Sequence, residues 1–149
     1  MLAANQQVRT FSECREAIET RFGNAFNTFE TPVQYGNVSI LKKGNVSIPT
    51  PYKGLQFVRM SIIGGESEQR EVTRSITTIN GIINISIFVK QDTGSQGAWV
   101  IADEIFPIFN ARSFNGITTG PATVRELPPN SGWYQINISI PYVWYHCVN

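Results

Sequence analysis

This sequence is poor in the residues on which most enzyme chemistry depends. Among its 149 residues there are one histidine, His146, and two cysteines, Cys14 and Cys147. A Ser-His-Asp or Cys-His arrangement would have to be built on His146. Cys147 is its neighbour, but adjacent residues of a strand point to opposite faces, so the two do not readily share a proton. Zinc takes about four ligands, normally Cys or His, and the chain holds too few of them. Neither G-x-x-x-x-G-K-[ST] nor G-x-G-x-x-G occurs; Gly94-Ser95-Gln96-Gly97 lacks the lysine and the rest of a phosphate cradle. The carboxylate pair Glu66 and Glu68 has no apolar wall to raise a pKa, and the pair Asp103 and Glu104 looks helical and exposed. No catalytic residue, metal or cofactor is expected.

Charge is scarce as well. Charged residues make up 15% of the chain, against a typical ~25%. Twelve basic and eleven acidic residues leave a net charge of +1. Sequence-independent binding to nucleic acid needs a basic excess to neutralise phosphates, so no dedicated nucleic-acid partner is expected. Low charge also leaves little repulsion between copies, which permits assembly. No apolar run reaches the ~18 residues of a membrane span, since the run 82–89 is interrupted by Asn84 and Ser86. Residues 1–7 have neither the basic nor the apolar region of a secretory signal, and two cysteines make no disulfide framework. The expectation is a protein of a reducing compartment with no membrane partner.

What the chain does have is enough for one domain, 1–149, with a core of its own. Thr10-Phe11-Ser12-Glu13 has the form of a capping box. Behind it Phe11, Cys14, Ala17, Ile18 and Phe22 recur at helical spacing, and Gly23 is a plausible stop. Cys14 on that apolar face is expected to be a core residue. Residues 32–36 suit a short strand. The repeat Asn37-Val38-Ser39-Ile40 and Asn45-Val46-Ser47-Ile48, around Lys43-Gly44, predicts a hairpin near 37–51. Residues 55–63 alternate as a strand, which Gly64-Gly65 should end. The stretch 66–78 is the charge-dense part of the chain, and its polarity predicts a solvated loop or hairpin tip, mobile in an isolated subunit.

Residues 80–90 give the clearest strand, with Ile83, Ile85, Ile87 and Val89 on one side. Ala98, Ile101, Ala102, Ile105, Ile108 and Phe109 make the broad stripe of a second helix, where Pro107 should kink or loosen the last turn. Strands over 118–127 and 133–144 follow, with Pro141 suggesting an edge, a bulge or the end of regular pairing. Short polar links between neighbouring strands favour an α+β fold: a mixed, mostly antiparallel sheet with two helices on one face.

Several of these segments, in this order, resemble one known family. They are Glu16–Phe22, Met60-Ser61-Ile62-Ile63-Gly64-Gly65-Glu66-Ser67-Glu68, Asn80–Phe88, Thr93-Gly94 before Ile101-Ala102-Asp103, and Gly132-Trp133-Tyr134 running to Ile140-Pro141-Tyr142. Together they are similar to the tail-terminator (tail-completion) proteins of long-tailed bacteriophages, relatives of the lambda tail terminator. The likeness spans about 11–145 and departs from the family at 37–51, which looks like an inserted hairpin. It implies a virion protein that forms a hexameric ring on the head-proximal end of the tail tube. The ring would stop tube polymerisation and present a joining surface to neck or head-completion proteins, with DNA passing through it unread. The charged residues Glu66, Glu68, Arg70, Glu71 and Arg74 are then the candidates for contacts between subunits or with the tube. A neck or head-completion ring is the nearest alternative. A secreted carbohydrate-binding module is a different one, resting on four N-x-[ST] sequons at Asn37, Asn45, Asn84 and Asn137 and on the aromatic residues of 133–145.

Overall fold

The computed structural model describes residues 6–26, 33–35, 56–71, 76–90, 96–130 and 132–147. The hairpin expected near 37–51 lies outside them. The elements are α1 (Phe11–Ala25), β1 (Val33–Gln34), β2 (Gln56–Glu71), β3 (Ile76–Lys90), α2 (Gln96–Phe109), β4 (Ser113–Phe114), β5 (Ile117–Thr119), β6 (Thr123–Asn130) and β7 (Trp133–Cys147). The strands form one sheet of order β1-β2-β3-β7-β5-β4, with β6 also paired to β7. Every pairing is antiparallel except β1 with β2. This is the α+β arrangement expected.

Alternation in β2, β3 and β7 builds the core directly. In register, Val58, Ile87 and Ile136 form one row across three strands, Met60, Ile85 and Ile138 the next, and Ile62, Ile83 and Ile140 a third. Except for Ile62, which is partly buried, all of them are closed to solvent. The helices cover this face: α2 buries the stripe Ala98, Ile101, Ala102, Ile105, Ile108 and Phe109, and α1 buries Cys14, Ala17, Ile18 and Phe22. The two helices meet where Phe22 stacks on Phe109 at 6.1 Å. A β-branched row on a pleated surface against two apolar helix stripes gives dense packing with little side-chain entropy to lose.

The start of α1 follows the sequence signal. Thr10 caps it by accepting from Glu13 N at 3.1 Å, while Arg9 N donates to Glu13 Oε1 at 2.9 Å. Its end does not: the helix runs past Gly23 to Ala25 and is capped by Phe26, whose N–H bonds Phe22 O at 2.9 Å. Burial of Phe26 and its stacking on Phe22 favour that extra half turn over a glycine stop. Phe11 also departs from expectation. It is 67% exposed and meets the core only edge-on, 5.5 Å from Trp144.

Helix α2 carries Pro107 inside its last turn. The carbonyls at its end are taken by side chains: Arg112 Nε donates to Pro107 O at 3.0 Å, Arg21 Nε to Ile108 O at 2.8 Å, and the Thr119 hydroxyl to Phe109 O. Arg21 thus ties α1 to the C-terminus of α2, where positive charge is favourable. Burial first, and then the nearby Arg112, pull its pKa below the usual arginine range.

Two expectations about strands are corrected. The single strand expected over 118–127 is β5 and β6, separated at Gly120-Pro121-Ala122. Of the edge, bulge or end of regular pairing expected at Pro141, the edge is overturned, for β7 stays paired with β3 as far as Cys147, while regular pairing on the other side does break there. On its other side β7 changes partner, from β6 at Ser139 to β5 at Tyr142. Pro141 sits at that change, its carbonyl accepting from Gly120 N at 2.9 Å. Its missing N–H therefore faces the gap between β5 and β6, where no ladder bond is lost.

Candidate assembly interface

Of the two forms expected for the charged stretch, the described residues form a hairpin, with 72–75 outside them. Strand β2 continues through Gly64-Gly65 to Glu71, paired with β3 down to Glu71↔Ile76, with register shifts between Gly64 and Ser67 and between Gln69 and Glu71. Two glycines beside a bulge let the strand twist and carry on instead of stopping it. Backbone ladder bonds need no apolar side chains, and β3 is held on its far side by β7 through Cys147. Over 66–71 and 76–78 the chain is thus a paired hairpin. Glu66, Glu68, Arg70 and Glu71 all lie along β2; Glu68 is exposed and faces Thr78 in register. Arg74 lies outside the described residues. The structure places the first four on one strand of the sheet.

The sheet face opposite the helices is a second surface that sequence reasoning did not single out. No described element covers it. Its middle is polar: Arg59, Ser86, Asn137 and Arg125 form one row and Ser61, Asn84, Ser139 and Thr123 the next. Ser86 Oγ donates to Asn137 Oδ1 at 3.1 Å, and Asn137 Nδ2 to Ser139 Oγ at 3.3 Å, so the floor is knit together by its own hydrogen bonds. The sequons at Asn84 and Asn137 fall on this floor, half-buried within strands; those at Asn37 and Asn45 lie outside the described residues.

Apolar side chains bound the floor at both ends. At one, Phe57 stacks on Phe88 at 4.6 Å and meets Trp133 edge-on at 5.0 Å, with the Arg59 guanidinium 5.2 Å from the centre of the Phe88 ring. At the other, Ile63 and Ile82 pair in register and are 52% and 42% exposed, and Tyr145 beyond them is 51% exposed. The alternation that predicts β3 also places Ile82 and Phe88 here; the signal was present in the apolar residues on its second face.

A third exposed group lies on α2, where Trp99, Val100 and Phe106 stand outside the buried stripe. Trp99 is held: it hydrogen-bonds Tyr134, whose hydroxyl also engages Glu126. Burial first and then Glu126 raise the Tyr134 pKa, and the Trp99 bond opposes them.

Among the described residues no group of three His, Cys, Asp or Glu could hold a metal. Cys14 is buried and its pKa is pushed up to about 12 by desolvation, so the thiol stays protonated, as a core cysteine does. His146 lies edge-on to Trp144 at 6.0 Å. No helix among the described residues is long and apolar enough to cross a membrane.

No protein-family model matches the chain, and no curated protein does. Solved structures do match. One, described by a serial identifier with no stated function, superposes with a TM-score of 0.64 over 91% of this chain and 95% of its own, at 16% identity. The likeness establishes the fold alone.

Proposed function

We propose that this chain is a structural virion protein, a tail-terminator-like subunit of a long-tailed bacteriophage. In this reading, copies form a ring, with six subunits as the resemblance implies, that caps the head-proximal end of the tail tube. The ring stops tube polymerisation and offers the surface for joining the neck. It sits in the virion after assembly in the host cytoplasm, works without cofactor or catalysis, and lets DNA pass without reading it.

The observation that carries the reading is the division of the surface. A bulged hairpin extends the sheet along the Gly-Gly-Glu-Ser-Glu segment, and a sheet face with exposed Ile63, Ile82 and Tyr145 is left without a covering layer among the described residues. Exposed Ile63, Ile82 and Tyr145 at one end of the polar floor offer apolar area that a protein partner could bury. Burying such surfaces in a ring also fits the low charge of the chain. Negative-stain microscopy of the purified protein, alone and mixed with tail tubes, tests the proposal. Rings that cap tube ends support it; rings that bind only the portal side favour a neck protein. Protein that stays monomeric and leaves tubes uncapped defeats it.

A further inference from the structure

Residues 6–8 close over a turn whose sequence is chemically labile. Strands β4 and β5 are joined by two residues, Asn115 and Gly116, with φ of 49° and 80°. A two-residue hairpin asks for that left-handed pair, and Asn-Gly meets it at little steric cost. Glycine, having no side chain, also leaves its amide nitrogen unshielded, so the Gly116 nitrogen can attack Cγ of Asn115. A bond forms between them, Nδ2 leaves as ammonia with the Gly116 amide proton, and a succinimide ring closes. Water then opens the ring at either carbonyl, leaving aspartate or isoaspartate.

The attack needs two rotations, one about the Asn115 side chain and one about its Cα–C bond. Residues 6–8 restrain both. Asn115 Nδ2 donates to Gln6 O at 2.7 Å, which holds the side chain. Val8 N donates to Asn115 O at 2.9 Å, which holds the carbonyl. Between them Gln7 packs on the glycine, where a Cβ on Gly116 would lie 3.4 Å from Gln7 Cγ. Val8 anchors the segment in the core, only 4% exposed. Glu13 holds it from the helix, accepting from Gln6 Nε2 at 3.2 Å and from Arg9 N at 2.9 Å.

We propose that Asn115 is a deamidation site latched by residues 6–8, slow to cyclise while the segment is seated and fast once it lifts. The two events reinforce each other. An aspartate at 115 only accepts hydrogen bonds, so it loses the bond to Gln6 O and sets a negative charge against that carbonyl. Isoaspartate instead adds a backbone atom to a two-residue turn. Either product frees the segment, and the chain has no means of restoring the amide, so the release is one-way. Either also cancels the formal net charge of +1. The inference goes beyond the ring reading and does not depend on it.

The chain carries its own comparison. Asn80-Gly81 has the same chemistry but lies within β3, Asn80 paired to Val143 and Gly81 to both Gly64 and Tyr142. The sheet protects that site, and residues 6–8 do not.

Peptide mapping by mass spectrometry, with the full chain held at mildly alkaline pH, reads both sites. In urea the two asparagines should deamidate at similar rates. In the folded parent Asn115 should react roughly tenfold or more slowly than in urea, because reaction waits on local opening. Val8→Pro removes the N–H that holds Asn115 O, and Val8→Ala trims the anchor but keeps that N–H; circular dichroism confirms folding of each. Val8→Pro should restore most of the lost rate at Asn115 and Val8→Ala part of it, with Asn80 still slow in both. Asn115→Asp, which carries the product side chain, should speed hydrogen exchange at the Val8 amide. A folded parent that deamidates Asn115 as fast as the unfolded chain overturns the latch. So do folded Val8 variants that keep the parent's rate, acceleration at both asparagines alike, or unchanged Val8 exchange in Asn115→Asp.

Discussion

Tyr142 lies across Gly81 so closely that a Cβ on the glycine would stand 2.4 Å from both the Cζ and the hydroxyl oxygen of the ring, and 2.7 Å from Ile63 O. Gly81 sits in the middle of the sheet, in register with Gly64 on one side and Tyr142 on the other. The glycine is the space the tyrosine occupies. We expect Gly81→Ala to cost about 1–3 kcal/mol in denaturant unfolding, the range for forcing atoms into a packed core. Gly64, where an added Cβ meets nothing within 4 Å, is the control. Gly64→Ala should be neutral or gain about 0.5 kcal/mol by stiffening the unfolded chain.

The same method separates the two helix faces. Ile105 is fully buried beneath α2, so Ile105→Ala should cost about 2–5 kcal/mol. Phe11→Ala removes an exposed ring with one edge-on contact to Trp144 and should cost about 0.5–1.5 kcal/mol. A loss at Phe11 as large as that at Ile105 would mean that α1 is seated by its first residue, contrary to the packing described.

Thr78 poses the opposite problem. Its hydroxyl is buried and finds no hydrogen-bond partner among the described residues. A buried hydroxyl without a partner costs about 1–3 kcal/mol, and valine has nearly the same shape and high strand preference. Thr78→Val should therefore raise the unfolding free energy by about 1 kcal/mol. A decrease would show that the hydroxyl is satisfied in solution.

What could be read from the sequence follows from how local each signal is. The capping threonine, the isoleucine alternation of 83–89 and the stripe of α2 are each set by neighbours within a few residues, and each forms as expected. The continuation of β2 through 66–71 was not legible because Gly64-Gly65 reads as a stop, although its partners on β3 lie only 5–12 residues away. The turn between β4 and β5 was legible and overlooked. Asn115-Gly116 is a two-residue hairpin signal, and both residues have positive φ, 49° and 80°. Of the candidate interface, the charged residues were visible as a cluster. The open face was not, because calling a strand face uncovered requires knowing where both helices go.

Alkaline pH should expose the buried thiol energetically. Desolvation raises Cys14 from an ordinary 9.0 to about 12, and burial raises Tyr142 from 10.0 to about 12. Both groups have a folded pKa above the unfolded one, so above pH 9 the unfolded chain releases protons that the folded chain keeps. Stability from Cys14 is thus complete below about pH 9 and is lost as pH rises towards 12. Tyr142 adds its loss above about pH 10. Unfolding midpoints should fall from pH 9 upward, and in Cys14→Ala the fall should begin nearer pH 10. In a Cys147→Ser background the folded protein should react with a thiol reagent at pH 8 far more slowly than the unfolded protein.

The charged arm gives the last expected outcome. Glu66, Glu68, Arg70 and Glu71 follow one another along a strand whose backbone is already paired to β3, so their charges are not needed to hold the hairpin. Mixed signs along this strand suit pairing with another subunit or with the tube better than gripping DNA, since acidic groups repel phosphate. Reversing Arg70 and Arg74 to Glu should therefore leave the thermal midpoint within about 2–4 °C of the parent, the shift that roughly 1 kcal/mol gives in a chain of this size. The same variant should cap tail tubes less efficiently, and more so at low salt, where exposed charges act over a longer range. Capping unchanged at low salt would show that the arm is solvated surface, and would leave assembly to the apolar surfaces of the sheet and of α2.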